Sequence, residues 1–351
     1  LPIYPQKIAR LFGRIKKSKQ PPRKFRRLFS VKIKTIYEFQ HSPPFHQLGN
    51  HKFLYQTQTN GGVMNRSLKF SATDYLLPKF GDMLFIVIVI GVVMYGPKLF
   101  NLDGDLGRHL TIGNYMLSSR SIPVTDIFSH SMTGETLVPH EWLAQIAFAL
   151  AYKLMGLSGD VFLTALVIGL TFAIKYREIV ERGTPILVAA MVLLWAVAVS
   201  SIHWLARPHI FTLLFVSIWH FQLEKFRAGD GKNTFIFPLL MLIWANTHGA
   251  FIAGFVIWGV YFFEWAVKKK KKNSTWEQGR RLALIGGLSF AVTFINPSGY
   301  LLWTTSLGYI QNSYLTSHTV EYMPPNFQNP SMWPFALMIF YGLLSLSGRK
   351  V

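Results

Sequence analysis

Long apolar segments recur along the chain from Met83 onward, separated by short polar stretches. Several hold roughly 16–20 residues and others are slightly shorter, which is enough or nearly enough to cross about 30 Å of hydrocarbon as an α-helix. Backbone polar groups in lipid must hydrogen-bond within their own segment, so the pattern predicts helices. The predicted spans are Met83–Tyr95, Glu141–Met155, Val161–Tyr176, Ile186–Ile202, Ile210–Phe226, Phe235–Val267, Leu282–Ile295 with its continuation Leu301–Tyr309, and Trp333–Leu346.

One of these segments is too long for a single plain span. Phe235–Val267 would measure about 50 Å as one straight helix, and the polar stretch Asn246–Gly249 lies near its middle. We therefore expect a broken helix or two short helices there. The predicted fold is an all-α, polytopic membrane bundle.

The composition supports a membrane protein. Half of the residues are hydrophobic, 15% are charged, and the mean hydropathy is +0.28. The sequence has no cysteine, which excludes disulfides, thiolate metal sites and a cysteine nucleophile.

The net charge of +20 comes largely from residues 1–63, which hold thirteen Lys and Arg but one acid, Glu38. This segment is typical of a tail that binds nucleic acid or anionic lipid, or of residues that are not native protein. We predict that 1–63 is a disordered or non-native extension and that 64–351, starting at Met64, forms the membrane domain, truncated at its C-terminus. We expect no nucleic-acid partner.

A polar loop, Asn101–Glu141, follows the first span and holds five of the sixteen carboxylates. Within it, Asp105–Ser118 is predicted to form an amphipathic helix lying on the membrane. The predicted apolar stripe of that helix is Leu106, Leu110, Gly113 and Leu117.

Basic residues before the first span place that end in the cytoplasm and the Asn101–Glu141 loop outside. Counting crossings from there puts Lys268–Lys272 inside, as expected, but puts Lys175–Arg182 outside, which the charge bias disfavours. The count leaves open the side of the membrane on which Arg207 and His248 lie.

Two acids near the start of the loop, Asp103 and Asp105, are the candidate catalytic residues. They could share a divalent cation such as Mg²⁺ or Mn²⁺ with His109 as a third ligand, or one could act as general base. The alternative is that they cap the helix. Arg108 could pair with a phosphate leaving group.

His109, other polar residues of the loop and Arg207, which lies just before the fifth span, are candidate substrate contacts. They include Asp126 in the loop and the pair His140 and Glu141 at the start of the second span. Glu141 could instead simply stabilise a helix N-terminus. Arg207 could bind phosphate or anchor the chain at the membrane interface.

Three further candidates lie later in the chain. Asn246 and His248 interrupt an apolar run, where polar groups line a cavity or form interhelical hydrogen bonds. Glu321 lies in a Pro-rich loop, predicted to be outside, where it could reach an acceptor or face solvent.

Several of these motifs resemble those of bacterial polytopic membrane glycosyltransferases of the GT-C fold class, akin to protein O-mannosyltransferases and aminoarabinose transferases. The resemblance covers about residues 80–347 and points to a largely uncharacterised branch. The motifs are Asp103-Gly-Asp105, Arg108-His109, Ile122-Pro123, Asp126-Ile-Phe-Ser129, Glu141-Trp142-Leu143, Arg207-Pro208-His209, Trp244–Gly249, Asn296–Gly299 and Glu321–Pro325.

The resemblance implies transfer of a sugar from a polyprenyl-phosphate carrier to a glycan, lipid or protein acceptor at the outer face of the bacterial cytoplasmic membrane. It places the role of base or metal ligand on Asp103 or Asp105. Two alternatives remain open. One is a transporter or flippase for a lipid-linked saccharide, which predicts broken helices with charges at the midplane. The other is a non-catalytic membrane scaffold.

Overall fold

The computed structural model divides the chain into two compact units, Leu1–Leu76 and Leu77–Val351. The described residues are 78–100, 104–229, 231, 233–270, 275–319 and 322–348, with the backbone of four short strands in the first unit. Most of the predicted 1–63 extension thus lies outside the described residues.

The strands of the first unit form two antiparallel pairs. One pair joins residues on either side of Met64, so the boundary predicted there falls inside this strand arrangement. The paired strands are Leu54–Tyr55 with Arg66–Ser67, and Gln58–Thr59 with Gly62–Val63.

The described part of the second unit is helical, as the apolar pattern predicts. Short 3₁₀ turns at Gly96–Phe100, Ser201–His203, Gly249–Phe251 and Pro330–Met332 join some of the helices. The α-helices are α1 Phe80–Met94, α2 Asp105–Ser119, α3 Trp142–Met155, α4 Leu157–Glu181, α5 Ile186–Ser200, α6 His209–Ala228, α7 Ile236–Ala245, α8 Ile252–Lys270, α9 Trp276–Val292, α10 Leu301–Gln311, α11 Ser313–His318 and α12 Trp333–Ser347.

Four helical segments are long and apolar enough to cross a membrane, judged by length and composition. Three shorter apolar helices, α1, α3 and α7, accompany them. The predicted break in Phe235–Val267 is confirmed, because α7 ends at Ala245 and α8 begins at Ile252. The four long segments are Leu157–Glu181, Ile186–His203, Gly249–Lys270 and Pro330–Ser347.

The prediction that Glu141–Met155 spans the membrane is wrong, because both ends of α3 lie at the same end of the helical unit. The last residue of α3 joins α4 through Gly156. The start of α4 packs against the end of α1, where Val161 contacts Gly96. Leu99, just after α1, accepts a backbone hydrogen bond from Ala206, just before α6.

The start of α3 also lies at this end of the helical unit, where it contacts α2. Arg207, next to Ala206, forms an ion pair with Asp105 at the start of α2. Arg108 and His109, one turn later, contact Glu141 immediately before α3. We name this end of the unit, where α2 and α3 lie, the site end.

Basic side chains gather at the opposite end, which we name the basic end. Tyr176 near the end of α4 packs on Phe80 at the start of α1. Glu224 near the end of α6 pairs with Arg182, and Arg227 pairs with Glu264 in α8. The Lys and Arg residues there are Lys79, Lys175, Arg177, Arg182, Lys225, Arg227, Lys268, Lys269, Lys270, Arg280 and Arg281.

This arrangement removes the conflict in the predicted sides. Because α3 lies across the site end, α4 runs from the site end to the basic end. Lys175–Arg182 therefore lies at the basic end together with Lys268–Lys270. Arg207 and His248 both lie at the site end.

The buried face of α2 differs from the predicted stripe. Leu110 and Leu117 are only partly buried, because α2 packs on α3 with a face rotated toward His109. Close packing there depends on Gly113, which lies against the α3 backbone. The residues buried on α2 are Leu106, His109, Ile112, Gly113 and Met116.

Replacing Gly113 with Ala should destabilise the protein by about 2 kcal/mol, because overpacking forces helices apart. The added Cβ would come within 2.3 Å of the Gln145 carbonyl oxygen and 2.7 Å of the Ala149 Cβ. Thermal unfolding in detergent measures the change. Gly107→Ala is the matched control, since Gly107 lies on the same helix with nothing within 4 Å of its added Cβ. Equal unfolding temperatures for the two variants would contradict the packing described for α2 and α3.

Candidate functional site

Glu141 lies at the centre of the site end, immediately before α3. Its side chain is 9% exposed, and it faces one arginine and three histidines. The atoms that approach its carboxylate are Arg108 Nη2 at 3.3 Å, His109 Nδ1 at 3.9 Å, His140 Nε2 at 3.8 Å and His248 Nε2 at 3.8 Å. Removing a carboxylate from water is costly, and the Arg108 guanidinium offsets that cost with a charge-assisted hydrogen bond.

A second carboxylate, Asp105, extends the charged cluster. Its Oδ1 lies 3.9 Å from Arg108 Nε, and its Oδ2 lies 3.4 Å from Arg207 Nη1. Acids and arginines therefore alternate from Glu141 through Arg108 and Asp105 to Arg207. Asp105 is half exposed, so these outer pairs are more solvated than the pair between Glu141 and Arg108. The other predicted catalytic residue, Asp103, lies outside the described residues.

A cavity of about 220 Å³ opens beside Glu141. Both charged partners of the central pair, Arg108 and Glu141, line it, whereas Asp105 contacts Arg108 without lining the cavity. The remaining lining residues are Ile112, Thr136, Leu137, Val138, Pro139, His140, Gln145, Thr305 and Tyr309.

The predicted metal set is only partly described, since Asp103 lies outside the described residues. Its two described members point to different partners: Asp105 faces two arginines, and His109 faces Glu141 and Gln145. Two guanidinium groups beside Asp105 oppose the binding of a cation there. Among the residues that the structure describes, no group of three or more His, Asp and Glu could hold a metal ion. The Mg²⁺ or Mn²⁺ requirement stays a prediction.

Asp126 shapes the loop that precedes α3. Its Oδ1 accepts hydrogen bonds from the backbone N–H groups of Phe128 and Ser129, at 2.8 and 2.9 Å. Its Oδ2 accepts from the Ser129 hydroxyl at 2.6 Å, and these bonds to Ser129 and Phe128 lower the pKa of Asp126. A backbone bridge between Thr125 and Thr136 then leads the chain into the cavity wall. The described contacts of Asp126 are thus local to the loop.

Asn246 joins α7 to α3 and to the turn that follows α9. Its Oδ1 accepts from Trp142 Nε1 at 2.7 Å, and its Nδ2 donates to the carbonyl oxygens of Leu242 and Ile295. Its own carbonyl accepts from Leu143 N at 3.2 Å. These contacts match the interhelical alternative considered for Asn246, and they fix where α3 begins. Glu321 lies outside the described residues.

Eight residues of the cavity wall were not among the predicted site residues, and Gln145 and Tyr309 are two of them. Gln145 follows Glu141 by one helical turn, so the helical period could have placed both on one face of α3. The Tyr309 ring packs against the His140 ring at a tilt of 56°, with ring centroids 5.7 Å apart. Its position at the end of an apolar segment is equally typical of an interfacial anchor, so the sequence carried no separate signal for it.

His109 should make the protein less stable at acid pH. Burial, followed by the charges of Arg108 and Arg207, lowers its pKa from 6.5 to about 3. Between these two values the unfolded chain binds a proton that the folded protein does not, so stability falls as pH falls through that window. From pH 6.5 to about pH 5 the loss due to this residue is about 2 kcal/mol. Chemical unfolding of the wild type and His109→Gln at about pH 7.5 and about pH 5 measures it. Equal losses in both proteins would mean that His109 titrates normally.

No family model, no curated protein and no solved structure matches the chain. The functional interpretation of the site end therefore depends on the residues of this chain alone.

Proposed function

We propose that the protein is an integral membrane glycosyltransferase that moves a sugar from a polyprenyl-phosphate donor to an acceptor hydroxyl. One observation carries the proposal: a buried carboxylate, Glu141, and a guanidinium, Arg108, line the same cavity at the site end. A carboxylate can take a proton from a nucleophilic hydroxyl, and a guanidinium can hold a phosphate. The donor and the fold class follow the sequence motifs that resemble GT-C enzymes.

The distribution of basic residues supports an outward-facing site. Lys and Arg residues are enriched in cytoplasmic segments of membrane proteins, so we assign the basic end to the cytoplasm. The site end, with its cavity, then faces the opposite side of a bacterial cytoplasmic membrane. A lipid-linked donor diffuses within the bilayer and presents its phosphate and sugar at that level.

In the proposed reaction, Glu141 accepts the proton of the acceptor hydroxyl as its oxygen attacks the anomeric carbon of the sugar. The bond between that carbon and the phosphate oxygen breaks, and the electron pair leaves with the polyprenyl phosphate. Arg108 stabilises the negative charge of the departing phosphate. The reaction inverts the anomeric centre, because attack and departure occur on opposite faces.

Asp105 takes a different part in this proposal from the one first predicted. It does not line the cavity, and its two oxygens face Arg108 and Arg207. We therefore propose that Asp105 orients the two arginines for phosphate binding, and that the base is Glu141. The proposals of Asp103 as base and of His109 with Mg²⁺ or Mn²⁺ await a test by substitution and metal titration.

A transporter or flippase for a lipid-linked saccharide is the second candidate. It requires charged groups near the middle of the membrane, along the path of the headgroup. The described ion pairs gather instead at the site end and the basic end. This distribution favours chemistry at one face over passage through the protein.

Replacing Glu141 with Gln should lower sugar transfer at least about a hundredfold, since the proposed base is removed while shape is kept. Transfer from polyprenyl-phosphate sugars is measured in proteoliposomes. Glu135→Gln is the matched control, because Glu135 is an exposed acid of the same loop. Full transfer by Glu141→Gln would remove the proposed base, and loss in both variants would point to a general charge effect.

Asp105→Asn should weaken donor binding more than turnover, since it loosens two arginines without touching the reacting atoms. The expected result is a raised KM for the polyprenyl-phosphate donor with a kcat within a few-fold of wild type. A kcat loss as large as that of Glu141→Gln, with KM unchanged, would instead support the original assignment of Asp105 as base.

The sequence has no cysteine, so single cysteines can report sidedness without background. A membrane-impermeant maleimide should label Glu135→Cys in intact bacterial cells, and Arg280→Cys only after permeabilisation. Both positions are exposed in the structure, on the site-end loop and at the basic end. The reverse labelling pattern would place the cavity in the cytoplasm and exclude an extracytoplasmic reaction.

A further inference from the structure

Two hydrogen bonds lead from the interior of the helical unit to one ring nitrogen of His248, and the other ring nitrogen faces Glu141. Trp244 Nε1 lies 3.0 Å from Thr212 Oγ1, and Thr212 Oγ1 lies 2.9 Å from His248 Nδ1. The other ring nitrogen of His248, Nε2, faces Glu141 Oε1 at 3.8 Å. Trp244 is fully buried in the last turn of α7, and Thr212 lies in the first turn of α6.

The direction of these bonds follows from which groups can donate. An indole N–H can only donate, so Thr212 Oγ1 accepts from Trp244. The hydroxyl keeps one hydrogen of its own, and among the described residues its hydrogen-bond contacts are these two rings. That hydrogen is directed to Nδ1 of His248, which then acts as an acceptor. In a neutral ring, the proton is left on Nε2, the nitrogen that faces Glu141.

His140 behaves differently toward the same carboxylate. Its Nδ1 lies 3.0 Å from the Val138 carbonyl oxygen, which can only accept, so Nδ1 carries the hydrogen. The Nε2 that faces Glu141 at 3.8 Å therefore has a lone pair in the neutral ring. His140 offers Glu141 an N–H group only when it is protonated, whereas His248 offers one while neutral.

We propose that Thr212 and Trp244 are positioning residues that hold neutral His248 as the Nε2–H tautomer, so that an N–H group faces Glu141 at 3.8 Å. The Glu141 carboxylate is then held from two sides, with Oε1 toward His248 and Oε2 toward Arg108. With the other tautomer, a lone pair of Nε2 would face the carboxylate and repel it. The catalytic consequence of this arrangement rests on the proposed function, but the tautomer itself does not.

The tautomer can be observed directly by ¹⁵N NMR of histidine-labelled protein in lipid nanodiscs, well above the ordinary histidine pKa. His248→Asn identifies the His248 signals. Nδ1 should resonate as an unprotonated nitrogen and Nε2 as a protonated one in the wild type. Thr212→Val should give a mixture of the two tautomers, and Thr212→Ser should restore the wild-type spectrum. A wild-type ring protonated on Nδ1 would overturn the proposal, whatever the variants do.

Turnover gives a second measurement. Thr212→Val should lower kcat for sugar transfer about tenfold with little change in the donor KM, and Thr212→Ser should recover it. Thr111→Val is the matched control, because among the described residues the Thr111 hydroxyl donates to the Gly107 carbonyl oxygen of its own helix, at 2.8 Å. A Thr212→Val enzyme as active as the control would also overturn the proposal.

The two measurements separate failure of this inference from failure of the proposed function. If the wild type transfers no sugar but shows the Nε2–H tautomer, the assignment of the His248 tautomer stands and the proposed function is wrong. If transfer occurs but His248 carries its proton on Nδ1, the proposed function stands and the assignment of the tautomer is wrong.

Discussion

The ion pair between Glu141 and Arg108 is the interaction on which the site depends. Glu141 is almost fully removed from solvent, and an unpaired carboxylate in such a place would cost several kcal/mol. Arg108 supplies the compensating charge at 3.3 Å, while His248 and His140 surround the remaining oxygen surface. The half-exposed Arg108 side chain also borders the cavity, so one cation both stabilises the acid and is available to an anionic ligand.

Placing that pair requires α2 and α3 to lie against each other at the site end. Gly113 allows the two helices to approach closely, and Asn246 fixes the start of α3 against α7 and the turn that follows α9. Asp126 folds the loop that brings His140 and Glu141 to the cavity. Helix packing, loop geometry and burial of charge therefore converge on the same carboxylate.

The apolar pattern predicts the helices well, because the requirement for internal backbone hydrogen bonds is local. It fails at Glu141–Met155, since an apolar segment of this length can cross a membrane or lie across one end of a helical unit. Counting Glu141–Met155 as a crossing is what placed Lys175–Arg182 outside, against the charge bias. The central position of Glu141 also could not be predicted, because its partners Arg108 and His248 come from distant parts of the sequence. Gln145 could have been found, as it shares a helical face with Glu141.

Photo-crosslinking with a diazirine-bearing polyprenyl phosphate tests the central claim most directly. The account predicts that mass spectrometry will find labelled peptides from the cavity wall, between Thr136 and Gln145 and around Tyr309. It also predicts that Arg108→Ala will greatly reduce this labelling. Labelling spread over the exposed face of α12 or concentrated at the basic end, and unaffected by Arg108→Ala, would contradict the account.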